Sequence, residues 1–230
     1  MSDWVCPKCG GDGFLLDEHG DAIACECRAA RVQRSRSTGV SSVIPRRYRG
    51  VSFERAPVTE LSPNVVRPVR DFVRNIDERI QRGPGLWIFG DVGTGKTSLA
   101  MLASKEAIKQ GYSAAIYSVP KLLAQIRGTY DTGSYGQLFE QLVTIDLLHL
   151  DDLGAEKQTE WVLEQLYSLV NERYEQERTI VVTSNVTEAS ELEDQIGKRT
   201  ISRLMEMTIQ VPLFGEDLRQ RWDSSHAASA

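Results

Sequence analysis

Residues 90–97 read Gly90-Asp91-Val92-Gly93-Thr94-Gly95-Lys96-Thr97, the spacing G-x-x-x-x-G-K-T. Glycines let a backbone curl so that successive N–H groups face a polyphosphate with no side chain in the way. The loop runs into the start of a helix near Lys96, where unpaired amides and the helix dipole favour an anion. Lys96 supplies a mobile positive charge for the β- and γ-phosphates, and the Thr97 hydroxyl suits magnesium. Gly90 through Ser98 are therefore the candidate nucleotide-binding residues. A chance glycine-rich turn is the competing explanation, and the placement between a buried strand and a helix argues against it.

A companion site is expected at the tip of another parallel strand. Leu147-Leu148-His149-Leu150-Asp151-Asp152 fits, as an apolar run ending in two carboxylates. Asp151 would hold magnesium through its water shell, and Asp152 would polarise the attacking water. Turn or helix-capping carboxylates ahead of Gly154 are the alternative. His149 reads as a packed core histidine. Ile180-Val181-Val182-Thr183-Ser184-Asn185 is a third buried run with a polar tip, and the Asn185 amide could orient a lytic water or simply open a turn. Arg199 and Arg203 stand four apart and share a helical face, as a pair of solvated surface arginines would too. Near the start, Cys6-Pro-Lys-Cys9 is followed by Cys25-Glu-Cys27. Four thiolates suit a closed tetrahedral zinc site, although His19 could replace one sulfur, and free thiols or a redox pair are the other options.

These groups must be carried by an ordered frame, and the chain supplies one. Its 230 residues are 41% hydrophobic and 26% charged, the range of a soluble globular protein, and no apolar run approaches membrane-spanning length. No leader pattern opens the chain, so a non-secreted, cytoplasmic protein is expected. The formal net charge is −5, which disfavours a protein coated in nucleic acid. The charge is uneven, because residues 28–55 hold eight arginines against the single acid Glu54. That stretch reads as a solvated linker or as a basic arm for phosphate. Three blocks emerge: a cysteine module over 1–30, a basic linker over 31–62 and an α/β domain over 63–230. In the last, periodicity predicts helices at 65–81, 96–110, 120–127, 135–143 and 160–175, with a broken one at 191–206. Strands are expected at 86–89, 113–119, 145–151 and 178–184, with an edge strand at 207–211. Helices alternating with buried strands imply a parallel sheet.

Together the segments GDVGTGKT, LLHLDDLGAEK, VVTSN and IGKRTISRL resemble, in order, the AAA+ ATPases of the DnaC/DnaI helicase-loader and IstB families. The lead-in Ile44-Pro45-Arg46-Arg47-Tyr48-Arg49, followed by Val51-Ser52-Phe53, resembles the segment these loaders carry before the ATPase domain. The resemblance implies a three-layer P-loop αβα fold with a reduced or absent lid. It makes Asn185 the sensor-1 position and Arg203 the arginine finger, with Arg199 beside it. It implies a homo-oligomer with ATP at its interfaces. Arg219 falls at the sensor-2 position. Asp152 stands where many AAA+ proteins have Glu, although an Asp pair is common within this family, and its side chain, one methylene shorter, is compatible with slow, assembly-dependent hydrolysis. Helices over 120–143 resemble an insertion that meets single-stranded DNA, with Lys121 and Arg127 for phosphates and Tyr130 or Tyr135 for a base. The cysteine block resembles a helicase-binding zinc module. The expected function is thus an ATP-dependent replicative helicase loader using ATP, magnesium and zinc, with an IstB-type transposition helper as the alternative. A metabolic P-loop kinase leaves the paired arginines and the cysteines without a role.

Overall fold

The fold is that of a computed structural model, which describes residues 6–9, 14–18, 20, 22–27, 44–186 and 189–218. Its centre is a five-stranded sheet of β3 (Gly85–Phe89), β4 (Ala114–Ser118), β5 (Leu147–Leu153), β6 (Thr179–Ser184) and β7 (Thr208–Pro212). The spatial order is β4-β5-β6-β3-β7, and every neighbouring pair is parallel. Such a sheet is covered on both faces, which explains why its central strands read as apolar runs. The two-residue period sorts each strand between two cores. Leu86, Ile88, Leu147 and Val181 face α1 (Pro63–Arg74) and α3 (Lys96–Lys109). Trp87, Leu148, Leu150, Ile180 and Val182 face α4 (Val119–Thr129), α5 (Tyr135–Thr144), α6 (Glu160–Glu175) and α8 (Lys198–Met207).

The helix expected over 65–81 is two helices. It breaks at Asn75, and α2 (Ile76–Arg82) stops at Gly83, whose φ is +84°. A Cβ on Gly83 would meet the Glu177 carbonyl oxygen at 2.3 Å, so the sharp end of α2 requires glycine. The broken helix near 191–206 is α7 (Ala189–Ile196) and α8, separated at Gly197. The remaining boundaries fall within two residues of expectation, and the edge strand β7 lies parallel beside β3.

Residues 44–62, grouped with the linker on composition, lie against the α/β body. Val51 and Val58 are buried in the core with α1 and α3. The Lys105 ammonium on α3 donates to the carbonyls of Arg49 (3.0 Å) and Val51 (2.6 Å). Arg173 is wholly buried on α6, and burial pushes its guanidinium down to about 9. It donates to the carbonyls of Leu142, Val143 and Ile145 at the end of α5 and to Thr179 at the start of β6. A buried cation is costly unless its donors are satisfied, and here five carbonyls, Asp146 included, accept from the two terminal nitrogens, while Nε has no hydrogen-bond partner among the described residues.

Candidate functional site

In a parallel sheet the ligand crevice lies outside the carboxyl ends of adjacent strands. Here β3, β6 and β5 are neighbours, with Phe89 level with Ser184 and Leu153 level with Ser184. The three motifs at their tips converge on one crevice of about 970 Å³. Val92, Gly93, Gly95, Lys96, Thr97 and Ser98 line one side, and Asp151, Asp152, Thr183 and Asn185 line another.

The loop has the curl its sequence requires. Gly90, Gly93 and Gly95 adopt φ of 140°, 79° and 100°, and Gly95 opens α3. Lys96 is buried and its ammonium donates to the carbonyls of Gly90 (2.9 Å) and Asp91. The loop is also stitched from outside by the segment after β7. Leu213 N–H donates to the Phe89 carbonyl, the Thr94 hydroxyl donates to the carbonyls of Asp91 and Leu213, and Gly215 N–H donates to the Asp91 carboxylate. Leu218 N–H reaches the Gly93 carbonyl at 3.1 Å.

Asp152 has φ of +65°, a left-handed geometry that aspartate tolerates better than most side chains. Its side chain accepts from the Asn185 amide, and its backbone N–H donates to the Thr183 hydroxyl at 2.9 Å. That hydroxyl donates in turn to Asp151 Oδ1 at 2.8 Å. Thr183 thus orients both acids, a role its position in an apolar strand did not suggest. Glu156 accepts from Gly154 N–H at 3.1 Å, and burial pushes its carboxyl up. His149 is a packed core residue as expected, its ring pushed down to about 4 by burial against the opposing pull of Asp151.

The opposite wall was missed in the sequence. Arg47, Tyr48, Gly50, Val51, Ala56 and Pro57 line it, with Leu218. The lead-in motif at 44–53 was the available signal, but composition drew it into the linker. The donor chemistry fits magnesium, because Thr97 and Asp151 offer hard oxygens to the same crevice as the lysine.

Two candidates stand apart from this crevice. Arg199 is exposed on α8. Arg203 is half-buried, with its Nε donating to Asn171 Oδ1 at 2.5 Å and its guanidinium over the rings of Tyr167 (5.0 Å) and Tyr174 (5.7 Å). Arg219 lies outside the described residues. In the α4–α5 region Tyr135 is stacked between Tyr130 and Phe139, at centroid distances of 5.2 and 5.6 Å. Arg127 lies over Trp161 at 4.6 Å, whose indole N–H donates to the Tyr130 hydroxyl. Tyr135 is therefore stacked on two rings of its own chain, while Tyr130 remains 49% exposed.

The cysteines gather as their spacing predicts. Cys6, Cys9, Cys25 and Cys27 are all buried with their sulfurs within 4.8 Å of one another, around the hairpin of β1 (Phe14–Leu16) and β2 (Ala22–Ala24). Burial, then hydrogen bonds from the other cysteines, pushes the Cys27 thiol up to about 12. A bound cation reverses that tendency by favouring thiolate, so four clustered soft donors fit zinc. His19 lies outside the described residues. Phe14 packs on Tyr112 at 5.7 Å between centroids, which seats the hairpin on the α/β body.

The profile of the family described as IstB-like ATP binding protein matches residues 70–225. The replicative helicase loader DnaI of Bacillus subtilis (strain 168) is 24% identical over 226 residues, covering 93% of this chain and 72% of that protein. An ATP-binding protein of insertion sequence IS1162 from Pseudomonas fluorescens is 32% identical over 120 residues, 48% of this chain and 52% of that one. Among solved structures, that of the DnaC helicase loader superposes with a TM-score of 0.64 at 24% identity, over 74% of this chain and 99% of that chain.

Proposed function

This chain belongs to the IstB-like ATP-binding family, in the DnaC/DnaI group of P-loop AAA+ proteins, and on that premise we propose that it is an ATP-hydrolysing replicative helicase loader. The observation that carries the reading is one crevice holding the curled loop, the paired acids and Asn185 together. In this reading the Gly93–Lys96 amides hold the β- and γ-phosphates. The Lys96 ammonium leaves the carbonyls of Gly90 and Asp91 to meet them. Thr97 and Asp151 hold magnesium, which neutralises charge on the phosphates. Asp152 polarises the attacking water, and Asn185, already on Asp152, keeps that carboxylate and the water in line. The wall of Tyr48, Val51 and Pro57 receives the base.

Arg203 completes the site of a neighbouring copy in a homo-oligomer, with Arg199 beside it on the same helix face. The aromatic bed of Tyr167 and Tyr174 holds the guanidinium in place. Arg219 contacts the nucleotide of its own chain. The domains are a zinc module at 1–30, a basic connection at 31–62 whose second half walls the nucleotide, and the ATPase at 63–230. The zinc module docks on the helicase, and the α4–α5 region meets single-stranded DNA through Lys121, Arg127 and Tyr130. These assignments place the protein in the cytoplasm, and among the described residues no helix is long and apolar enough to cross a membrane.

The test is co-elution of the full chain with its cognate hexameric helicase in the presence of ATP. Complex formation that needs the cysteine cluster supports the reading, and no association under any nucleotide condition refutes it. The insertion-sequence relative and the family description favour a second reading, a transposition helper. It predicts bending of duplex DNA and stimulation of a transposase in place of helicase binding. The match to DnaI over 93% of this chain favours the loader.

A further inference from the structure

The strand period places Leu147, His149 and Asp151 on the face of β5 that looks toward α3, and Leu147 packs in the core with that helix. His149 is fully buried. Its Nδ1 lies 2.9 Å from the Ser104 hydroxyl on α3. Its Nε2 has no hydrogen-bond partner and stands 3.9 Å from Asp151 Oδ1. Leaving a buried ring nitrogen unpaired is costly, and a leucine in the same place would avoid that cost.

The link joins the two elements that carry hard oxygen donors to the crevice. Ser104 is seven residues beyond Thr97, so the two side chains share one face of α3 about 10 Å apart. Asp151 is two residues beyond His149, about 7 Å along β5. A single imidazole therefore bridges α3 and β5 just beneath the pair. A serine hydroxyl that donates to Nδ1 leaves the ring proton on Nε2, the nitrogen 3.9 Å from the carboxylate oxygen that accepts from Thr183.

We propose that His149 is a positioning residue: the Ser104–His149 bond fixes the separation of Thr97 and Asp151, and the Nε2–H aims the Asp151 carboxylate into the magnesium site. The proposal rests on the nucleotide reading above for the role of Thr97 and Asp151. It concerns geometry that a hydrophobic residue at 149 would fill without aiming. Partners that orient a metal ligand change metal affinity about 10- to 100-fold when removed.

Two experiments on the full chain test it. Long-range 1H–15N spectra of ¹⁵N-histidine protein, with the His149 signal identified among the three histidines by its loss in His149→Leu, report the tautomer. An Nε2–H ring is expected, and an Nδ1–H ring overturns the proposal. Titration of a fluorescent ATP analogue, with magnesium and with EDTA, then separates metal from phosphate binding. His149→Leu and Ser104→Ala should each reduce the magnesium-dependent gain in affinity about tenfold or more, leave EDTA affinity unchanged, and combine non-additively. His149→Gln, with an amide donor and acceptor, should restore part of the gain. An unchanged gain, or a parallel fall of both affinities as expected for a merely structural role, overturns the proposal. Ser104→Ala keeps the test alive if His149→Leu does not fold. A wild-type protein that binds no nucleotide in either buffer instead defeats the ATP reading, and the tautomer measurement still stands on its own.

Discussion

Gly93→Ala separates the conformation of the phosphate loop from its contact with the segment after β7. Gly93 has φ of +79°, and a Cβ there would meet Asp217 Oδ1 at 1.8 Å and Cγ at 2.0 Å. Left-handed backbone costs an L-residue about 1–2 kcal/mol. An empty loop can relax away from that strain, but a loop closed around phosphates cannot, so the cost falls on binding. At about 1.4 kcal/mol per decade, the backbone term alone weakens nucleotide binding about 5- to 30-fold. The collision with Asp217 adds to this. The Asp217 carboxylate is the end of a side chain and can swing away, so removing it should recover the steric share and leave the backbone share. A fluorescent-nucleotide titration of Gly93→Ala, Asp217→Ala and the double variant, with thermal melts alongside, reads both. The double variant is expected to lie between Gly93→Ala and wild type. Wild-type affinity for Gly93→Ala would refute the conformational argument. A double variant no better than Gly93→Ala would refute the steric one.

Other outcomes follow from the same geometry. Lys96→Ala should abolish nucleotide binding, because the proposed function assigns the β- and γ-phosphates to that ammonium; a titration with retained affinity contradicts the assignment. Arg203→Ala should keep nucleotide binding and lower assembly-stimulated hydrolysis about 10³-fold or more, and unchanged stimulated turnover moves the finger to Arg199 or elsewhere. Arg173→Met should destabilise the fold by about 3–5 kcal/mol by leaving the α5 and β6 carbonyls buried and unpaired, measured by denaturant unfolding. Metal analysis should find about one zinc per chain, with release on strong chelation or in Cys27→Ser; a metal-free chain with a folded hairpin contradicts the thiolate site.

The α/β frame was legible because each central strand buries both faces and so carries an uninterrupted apolar run between helix-period segments. The motifs at the tips of β3, β5 and β6 were legible because each shows as fixed residue types at a fixed spacing after an apolar run. The wall at 47–57 was not, since Val51 and Val58 are isolated apolar residues in an Arg- and Pro-rich stretch. What holds that stretch is Lys105 reaching backbone carbonyls, and a carbonyl has no residue signature. The stitching of 213–218 onto the loop escaped for the same reason, since each of those bonds uses a main-chain N–H or carbonyl of 213–218. The break at Asn75 hides inside a continuous apolar period. Arg173 and Thr183 sit where pattern alone predicts surface charge and strand filler, and only tertiary structure shows what their donors reach. For Tyr135 the aromatic spacing was visible, but its mutual stacking with Tyr130 and Phe139 was not.

Calorimetric titration of the purified full chain with ATP and magnesium is the most direct test. Saturable uptake at one site per chain is expected, lost in Lys96→Ala while the melting transition persists. The absence of any binding heat or saturation with either ATP or ADP, magnesium present, would contradict it.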